Sequence, residues 1–163
     1  MSKPCRVLII DDDPLILLTL SAYLEDSDYT VFKAGDGEEG LEVFARTQPD
    51  IVVTDLRMPK LDGFGVLAAI KAHSPATPVI AFTGTGERHA TDEAVRLGAW
   101  CCLYKPLADL NDLIVAIMMA LEHTDTGDPH DLCRQRAEDG DAEEASRGVG
   151  EKNGGGRISD NQT

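Results

Sequence analysis

Basic residues are scarce in this chain. Its 163 residues include 15 lysines and arginines against 29 aspartates and glutamates, which gives a formal net charge of −14. A protein that binds nucleic acid neutralises phosphates with a basic patch or stripe, and this composition offers no basic excess from which to build one. The charge balance therefore argues against direct DNA binding by this chain.

Cysteine is also infrequent, and its spacing fits neither a disulfide framework nor a zinc site. Two of the four cysteines are adjacent and would point to opposite faces of a strand, while the other two lie far apart in the sequence: Cys5, Cys101, Cys102 and Cys133. Reduced thiols are the state that we expect, as is usual in the cytoplasm.

Apolar runs of the length needed to cross a bilayer, about 20 residues, do not occur in the sequence. The segment 1–6 leads into a run of only four apolar residues, which is too short for the core of a secretory signal. We therefore expect a cytoplasmic protein with no membrane segment.

What the chain does contain is a set of short apolar runs, at residues 7–10, 51–53, 79–82 and 101–103. Such runs are typical of strands buried on both faces, as in a parallel sheet covered by helices. A further strand is predicted at Thr30–Ala34, and the alternation of strands with helices indicates an α/β fold. The predicted helices run from Pro14 to near Asp26 and over Glu38–Arg46, Phe64–Ala72, Glu87–Leu97 and Asp109–His123.

Acidic residues follow two of these runs. Asp11 and Asp12 come directly after the first run, and Asp55 follows the run at 51–53 after one intervening residue. Taken alone, Asp55 could simply open a turn. If the two strands are parallel neighbours, however, the three carboxylates converge and repel one another by roughly 4 kcal/mol per pair at 4 Å and a dielectric of 20. A hard divalent cation relieves this repulsion, and oxygen ligands of this kind suit Mg²⁺.

Two more runs end in a polar group, a hydroxyl at Thr83 and an ammonium at Lys105. Ligands bind at the carboxyl ends of the strands in open α/β sheets. A carboxylate nucleophile, a metal cage, a hydroxyl donor and a cation at that edge fit phosphoryl transfer, in which the protein positions groups and neutralises charge.

Taken together, these motifs resemble the receiver domain of two-component response regulators. The resemblance covers residues 5–122 and is carried by IIDDDP, VVTDLRMPKLDG, IAFTGTG and LYKP, which contain Asp11, Asp12, Asp55, Thr83 and Lys105. It implies a flavodoxin-like fold: a doubly wound, five-stranded parallel sheet with strand order 2-1-3-4-5. It also implies a cis peptide bond between Lys105 and Pro106.

The resemblance assigns a role to each matching residue. Asp55 would accept the phosphoryl group, and Mg²⁺ would be bound by Asp11, Asp12, Asp55 and the backbone carbonyl of Arg57. Thr83 would bond a phosphoryl oxygen. Lys105 would pair with the phosphate, or with Asp55 when the phosphate is absent.

The same resemblance implies partners. A sensor histidine kinase or a histidine phosphotransfer protein would supply phosphohistidine, and a conformational change would signal to an unidentified protein target. A phosphorylation-dependent homodimer is possible through the last two helices. The chain would not be an enzyme acting on a separate substrate, although it would slowly hydrolyse its own acyl phosphate, with Arg57 and Thr85 flanking the attacking water.

One position departs from the family pattern. Most receivers have an aromatic residue three positions before the lysine, and here that residue is Cys102. Strand alternation predicts Trp100 and Tyr104 on the same face as Cys102, each displaced by roughly 7 Å. The departure keeps open a second function, a protein adaptor that works without phosphorylation. A haloacid-dehalogenase-like phosphatase fits less well, because it requires a second acid where this chain has Arg57.

Beyond the receiver domain, assigned to residues 1–123, the composition changes. Residues 124–163 are acidic and rich in glycine and show no apolar period, so we predict a disordered tail. The tail contains no motif of a DNA-binding or catalytic output module. It could belong to a stand-alone receiver, or it could replace an output domain that has been lost.

Overall fold

A computed structural model describes residues 3–84 and 87–122. The predicted tail at 124–163 lies outside the described residues, as does Thr85. Five strands alternate with five helices along the chain. The strands are β1 (Arg6–Ile10), β2 (Thr30–Ala34), β3 (Ile51–Asp55), β4 (Val79–Gly84) and β5 (Cys101–Lys105). The helices are α1 (Pro14–Asp26), α2 (Gly37–Thr47), α3 (Gly63–His73), α4 (Arg88–Arg96) and α5 (Asn111–Glu122).

All five strands are parallel and lie in the order β2-β1-β3-β4-β5, which confirms the predicted fold class. The register aligns the carboxyl ends of the three central strands: Ile10 pairs with Thr54, and Asp55 pairs with Phe82. On the next strand, Gly84 pairs with Lys105. Residues that end successive strands are therefore neighbours at one edge of the sheet.

The two faces of the sheet carry separate apolar clusters. Alternate residues of the central strands, such as Leu8 and Val52, pack with α2, α3 and α4, whereas Val7 and Val53 pack with α1 and α5. Every residue of β3 is buried, because helices cover both faces of this strand. This double coverage explains the apolar run at residues 51–53.

Helix starts agree with the local sequence signals to within two residues. The Asp13 carboxylate accepts a hydrogen bond from the Leu15 backbone N–H at 2.9 Å, and Pro14 occupies the first helical position. The last helix starts at Asn111 rather than at the predicted Asp109, because the Asp109 side chain accepts from the Asn111 N–H at 2.8 Å and so precedes the helix. Within the described ranges, no helix combines the length and apolar character required to cross a bilayer.

Candidate functional site

Three aspartates meet where β1 and β3 end. Carboxylate oxygens of Asp11, Asp12 and Asp55 all lie within 4.8 Å of one another. Asp11 is 2% exposed and Asp55 is 7% exposed, whereas Asp12 faces solvent. The site is therefore an acidic pocket with two buried members and one open side.

Lys105 reaches this pocket from the end of β5. Its Nζ donates to Asp11 Oδ2 at 2.6 Å and to Asp55 Oδ2 at 3.0 Å. Burial disfavours the ammonium, but the bonds to the two carboxylates outweigh burial, so the pKa of Lys105 is raised above its ordinary value. Lys105 therefore stays charged and neutralises part of the acidic pocket. The peptide bond from Lys105 to Pro106 is cis, as the resemblance implied.

Asp55 is held by both its neighbours and its burial. The Arg57 backbone N–H donates to Asp55 Oδ1 at 3.2 Å, while Lys105 occupies the other oxygen. Burial raises the pKa of Asp55 above its ordinary value, and these hydrogen bonds oppose the rise without cancelling it. The carboxylate is thus poorly solvated, fixed in orientation and close to a cation.

The donor chemistry of the pocket fits Mg²⁺. Carboxylate oxygens are hard ligands, and Mg²⁺ binds through one or two protein carboxylates together with waters and phosphate oxygens. The structure brings carboxylate oxygens of the predicted ligands Asp11, Asp12 and Asp55 within 4.8 Å of one another. The backbone carbonyl of Arg57 follows Asp55 by two residues and stays a predicted ligand.

Thr83 is fully buried at the end of β4, next to the strand that carries Asp55. Its Oγ1 donates a hydrogen bond to Glu87 Oε2 at 2.8 Å. Glu87 also pairs with the Arg57 guanidinium, with Nη2 to Oε1 at 3.3 Å and Nε to Oε2 at 3.4 Å. Sequence reasoning missed Glu87, because its position four residues after Thr83 predicts only the start of a helix.

The backbone at the start of α3 packs closely against the end of β3, next to the acceptor. Gly63 begins α3, and its backbone N–H donates to the Leu56 carbonyl at 3.1 Å. A Cβ at this position would overlap the Asp55 carbonyl oxygen and lie 2.6 Å from Leu56 Cα. The close approach of α3 to the end of β3 therefore requires glycine at position 63.

Cys102 lies on the face covered by α4, with its Sγ 3.9 Å from the Thr91 carbonyl oxygen. The Tyr104 hydroxyl lies 3.4 Å from Thr91 Oγ1, so this ring also faces α4. The prediction that Trp100 shares this face is wrong: Trp100 packs with the cluster of α1 and α5. The reason is that Trp100 precedes β5, so strand alternation does not fix its direction. None of the three described cysteines is in a disulfide.

Comparisons with known proteins agree with this geometry. The family model described as "Response regulator receiver domain" matches residues 7–118. The transcriptional regulatory protein GlrR of Escherichia coli is 38% identical over 122 residues, which are 75% of this chain and 27% of that protein. The transcriptional regulatory protein PdtaR of Mycobacterium tuberculosis is 35% identical over 119 residues, covering 72% of this chain and 57% of PdtaR. The chain thus spans only part of the length of these relatives.

A solved response regulator receiver domain from Clostridium thermocellum is 36% identical. It superposes with a TM-score of 0.69 over 72% of this chain and 94% of its own. Receiver domains of response regulators work with histidine kinases, and the acidic pocket, Thr83 and Lys105 stand here at the strand ends where the motifs predicted them. The chain belongs to the response regulator receiver domain family of two-component systems.

Proposed function

We propose that this receiver domain accepts a phosphoryl group on Asp55. The observation that carries the proposal is the pair of contacts from Lys105 Nζ to Asp55 and Asp11 at the centre of the acidic pocket. Asp55 attacks the phosphorus of a phosphohistidine in line, the P–N bond breaks, and the imidazole leaves with the electron pair. The Lys105 ammonium lies 3.0 Å from an oxygen of the acceptor, so it can pair with the transferred phosphoryl oxygens and neutralise their charge.

Asp11, Asp12, Asp55 and the Arg57 carbonyl are the groups that we expect to hold Mg²⁺. The ion, when bound, would supply positive charge to the phosphoryl oxygens. The residues have separate tasks: Asp55 provides the nucleophilic oxygen, Thr83 provides one O–H donor, and Lys105 provides a fixed cation. In this arrangement the buried Asp55 carboxylate supplies the attacking oxygen, and the Lys105 ammonium beside it supplies the charge that solvent would otherwise provide.

The phosphoryl donor in this proposal is a sensor histidine kinase or a histidine phosphotransfer protein in the cytoplasm. The domain then signals to a protein target by conformational change, as a monomer or as a phosphorylation-dependent homodimer. It acts on no separate substrate and only hydrolyses its own acyl phosphate slowly. Arg57 flanks the acceptor, and Thr85, the second residue proposed to flank the water, lies outside the described residues.

A second candidate, a phosphorylation-independent protein adaptor, is favoured by one observation. Cys102 fills the position of the usual aromatic residue and is buried against α4, so the ring movement that reports phosphorylation in most receivers has no equivalent at this position. Equal affinity of the wild type and of Asp55→Ala for a partner would support the adaptor.

Intact-mass spectrometry after incubation with acetyl phosphate and Mg²⁺ tests the phosphoryl proposal. Wild type is expected to gain one phosphoryl group, and both Asp55→Asn and an EDTA control are expected to gain none, because the nucleophile or the metal is missing. A normal yield from Asp55→Asn would refute the assignment of the acceptor. No gain by wild type under any condition would make the adaptor the leading function.

A further inference from the structure

Glu87 connects two groups that flank the acceptor. Its carboxylate accepts the Thr83 hydroxyl at 2.8 Å and pairs with the Arg57 guanidinium at 3.3 Å. Thr83 follows Phe82, the register partner of Asp55, and the Arg57 N–H bonds Asp55 directly. The Glu87 carboxylate therefore binds, from outside the acidic pocket, the side chains of two residues that neighbour the acceptor.

The Thr83 hydroxyl has a single proton to donate. While it donates to Glu87, it cannot donate to a phosphoryl oxygen on Asp55. A phosphoryl group carries a charge of about −1.5 to −2 and three strong acceptor oxygens. Like the Glu87 carboxylate it is an anionic acceptor, so the two groups compete for the hydroxyl proton.

We propose that Glu87 is a positioning residue that holds the Thr83 hydroxyl in the orientation it has while Asp55 is unphosphorylated. When Asp55 is phosphorylated, a phosphoryl oxygen replaces the Glu87 carboxylate as the acceptor of this hydroxyl. The inference rests on the proposed function, because it requires a phosphoryl group at Asp55. Glu87 would then couple phosphorylation to α4, a coupling that the Cys102 side chain, standing in place of the usual aromatic ring, does not provide.

Release of Glu87 would act directly on α4. Glu87 immediately precedes this helix, and its backbone carbonyl accepts from the Thr91 N–H at 3.1 Å and from Thr91 Oγ1 at 3.4 Å. The same threonine contacts Tyr104 and Cys102 on β5. Only Ala90 and Ala94 of α4 are buried, so the helix is weakly anchored to the sheet. A change at Glu87 therefore reaches a helix that can move.

Binding of beryllofluoride, a phosphoryl analogue, measures this competition without covalent chemistry. We expect Glu87→Ala to lower the beryllofluoride Kd about tenfold at saturating Mg²⁺, since a hydrogen bond to a charged group corresponds to about one decade of binding. Glu87→Gln retains an acceptor for Thr83 and should have a smaller effect. The Glu87 side chain makes no capping hydrogen bond, so neither change removes a helix cap.

Two controls separate positioning from a general effect of charge. Glu93→Ala removes an acid of α4 that pairs with Arg96 at the surface. It should change the beryllofluoride Kd less than about twofold, which is the scale of a surface charge pair. In a Thr83→Val background, Glu87→Ala should lose most of its effect, because the hydroxyl that it releases is absent.

An unchanged or weaker affinity of Glu87→Ala would overturn the inference, as would an equal gain in Glu93→Ala or in the Thr83→Val background. If wild type itself fails to bind beryllofluoride with Mg²⁺, the proposed function fails, and this inference fails with it. Normal wild-type binding with no effect of Glu87→Ala overturns the role of Glu87 alone.

Discussion

Lys105 is the residue on which the electrostatics of the site depend. Its side chain is 24% exposed, and its Nζ contacts two carboxylates that are themselves buried. An ion pair in this environment is screened less than one at the surface, so its charge strongly affects what else can enter the pocket. In the absence of metal, Lys105 offsets the repulsion among the aspartates.

Lys105→Met should therefore bind Mg²⁺ more tightly than wild type. The substitution removes a cation that competes for oxygens of Asp11 and Asp55 while keeping most of the aliphatic stem. We expect the Mg²⁺ Kd to fall about tenfold, which corresponds to about 1.4 kcal/mol of relieved competition. Isothermal titration with MgCl₂ measures it, and the phosphoryl yield should fall in the same variant.

Lys60→Met is the matched control, because Lys60 is an exposed lysine whose partner is Asp36 rather than the acidic pocket. It makes the same change in net charge and should leave the Mg²⁺ Kd almost unchanged. Weaker Mg²⁺ binding by Lys105→Met would show that the lysine organises the aspartates for the metal instead of competing with it.

The junctions between strands and helices decide where the site residues point. The junction from β3 to α3 carries Asp55 at one end and Gly63 at the other, with backbone in close contact between them. Between β4 and α4, the Thr83 hydroxyl donates a hydrogen bond to the Glu87 carboxylate. The first contact is made by backbone atoms, whereas the second is made by side chains and is the one that our inference about Glu87 requires to exchange partners.

Gly63→Ala should destabilise the fold by about 2 kcal/mol, since its Cβ would overlap the backbone of Asp55 and force α3 away from β3. Urea unfolding followed by the fluorescence of Trp100, the one tryptophan, measures the change. The phosphoryl yield should fall as well, because the displaced backbone is that of the acceptor.

Gly84→Ala provides the comparison. Among the described residues, the atom nearest to a Cβ at this exposed position lies at 4.0 Å, in the Glu87 side chain, so the stability should change by less than about 0.5 kcal/mol. Equal stabilities of the two variants would contradict the close approach of α3 to Asp55.

At the scale of the whole molecule, the chain is an acidic protein that gathers some of its negative charge at one end of a sheet. Its net charge of −14 already opposes compaction, and the acidic pocket adds local repulsion. A bound divalent cation would relieve that repulsion in the native state only, and would therefore increase the free energy of unfolding.

Mg²⁺ at 100 times its Kd should stabilise the protein by about 2.7 kcal/mol, measured as a rise in Tm against KCl of equal ionic strength. Asp12→Asn should lose this rise, because it removes a carboxylate of the pocket. Asp13→Asn makes the same change in charge at the next residue, where asparagine can still cap α1, and should keep the rise. A full Mg²⁺ response in Asp12→Asn would place the ion elsewhere.

The sequence alone determined the α/β class and the polar residues that close each apolar run, and its resemblance to receiver domains supplied the strand order. β1, β3 and β4 contain the apolar runs at residues 7–10, 51–53 and 79–82 because both of their faces are buried, and this pattern does not depend on distant details of packing. Parallel neighbours must align their carboxyl ends, so Asp11, Asp55 and Thr83 could be expected at one edge from their position after each run.

Only the tertiary structure decided that Glu87 is the partner of Thr83. The bond from Thr83 to Glu87 depends on how the start of α4 lies against β3 and β4, and no local pattern specifies that placement. Trp100 faced α1 and α5 rather than α4 because packing, not strand alternation, orients a residue outside a strand. Periodicity encodes which face of an element is buried, whereas contacts between elements depend on distances and angles that the whole fold sets.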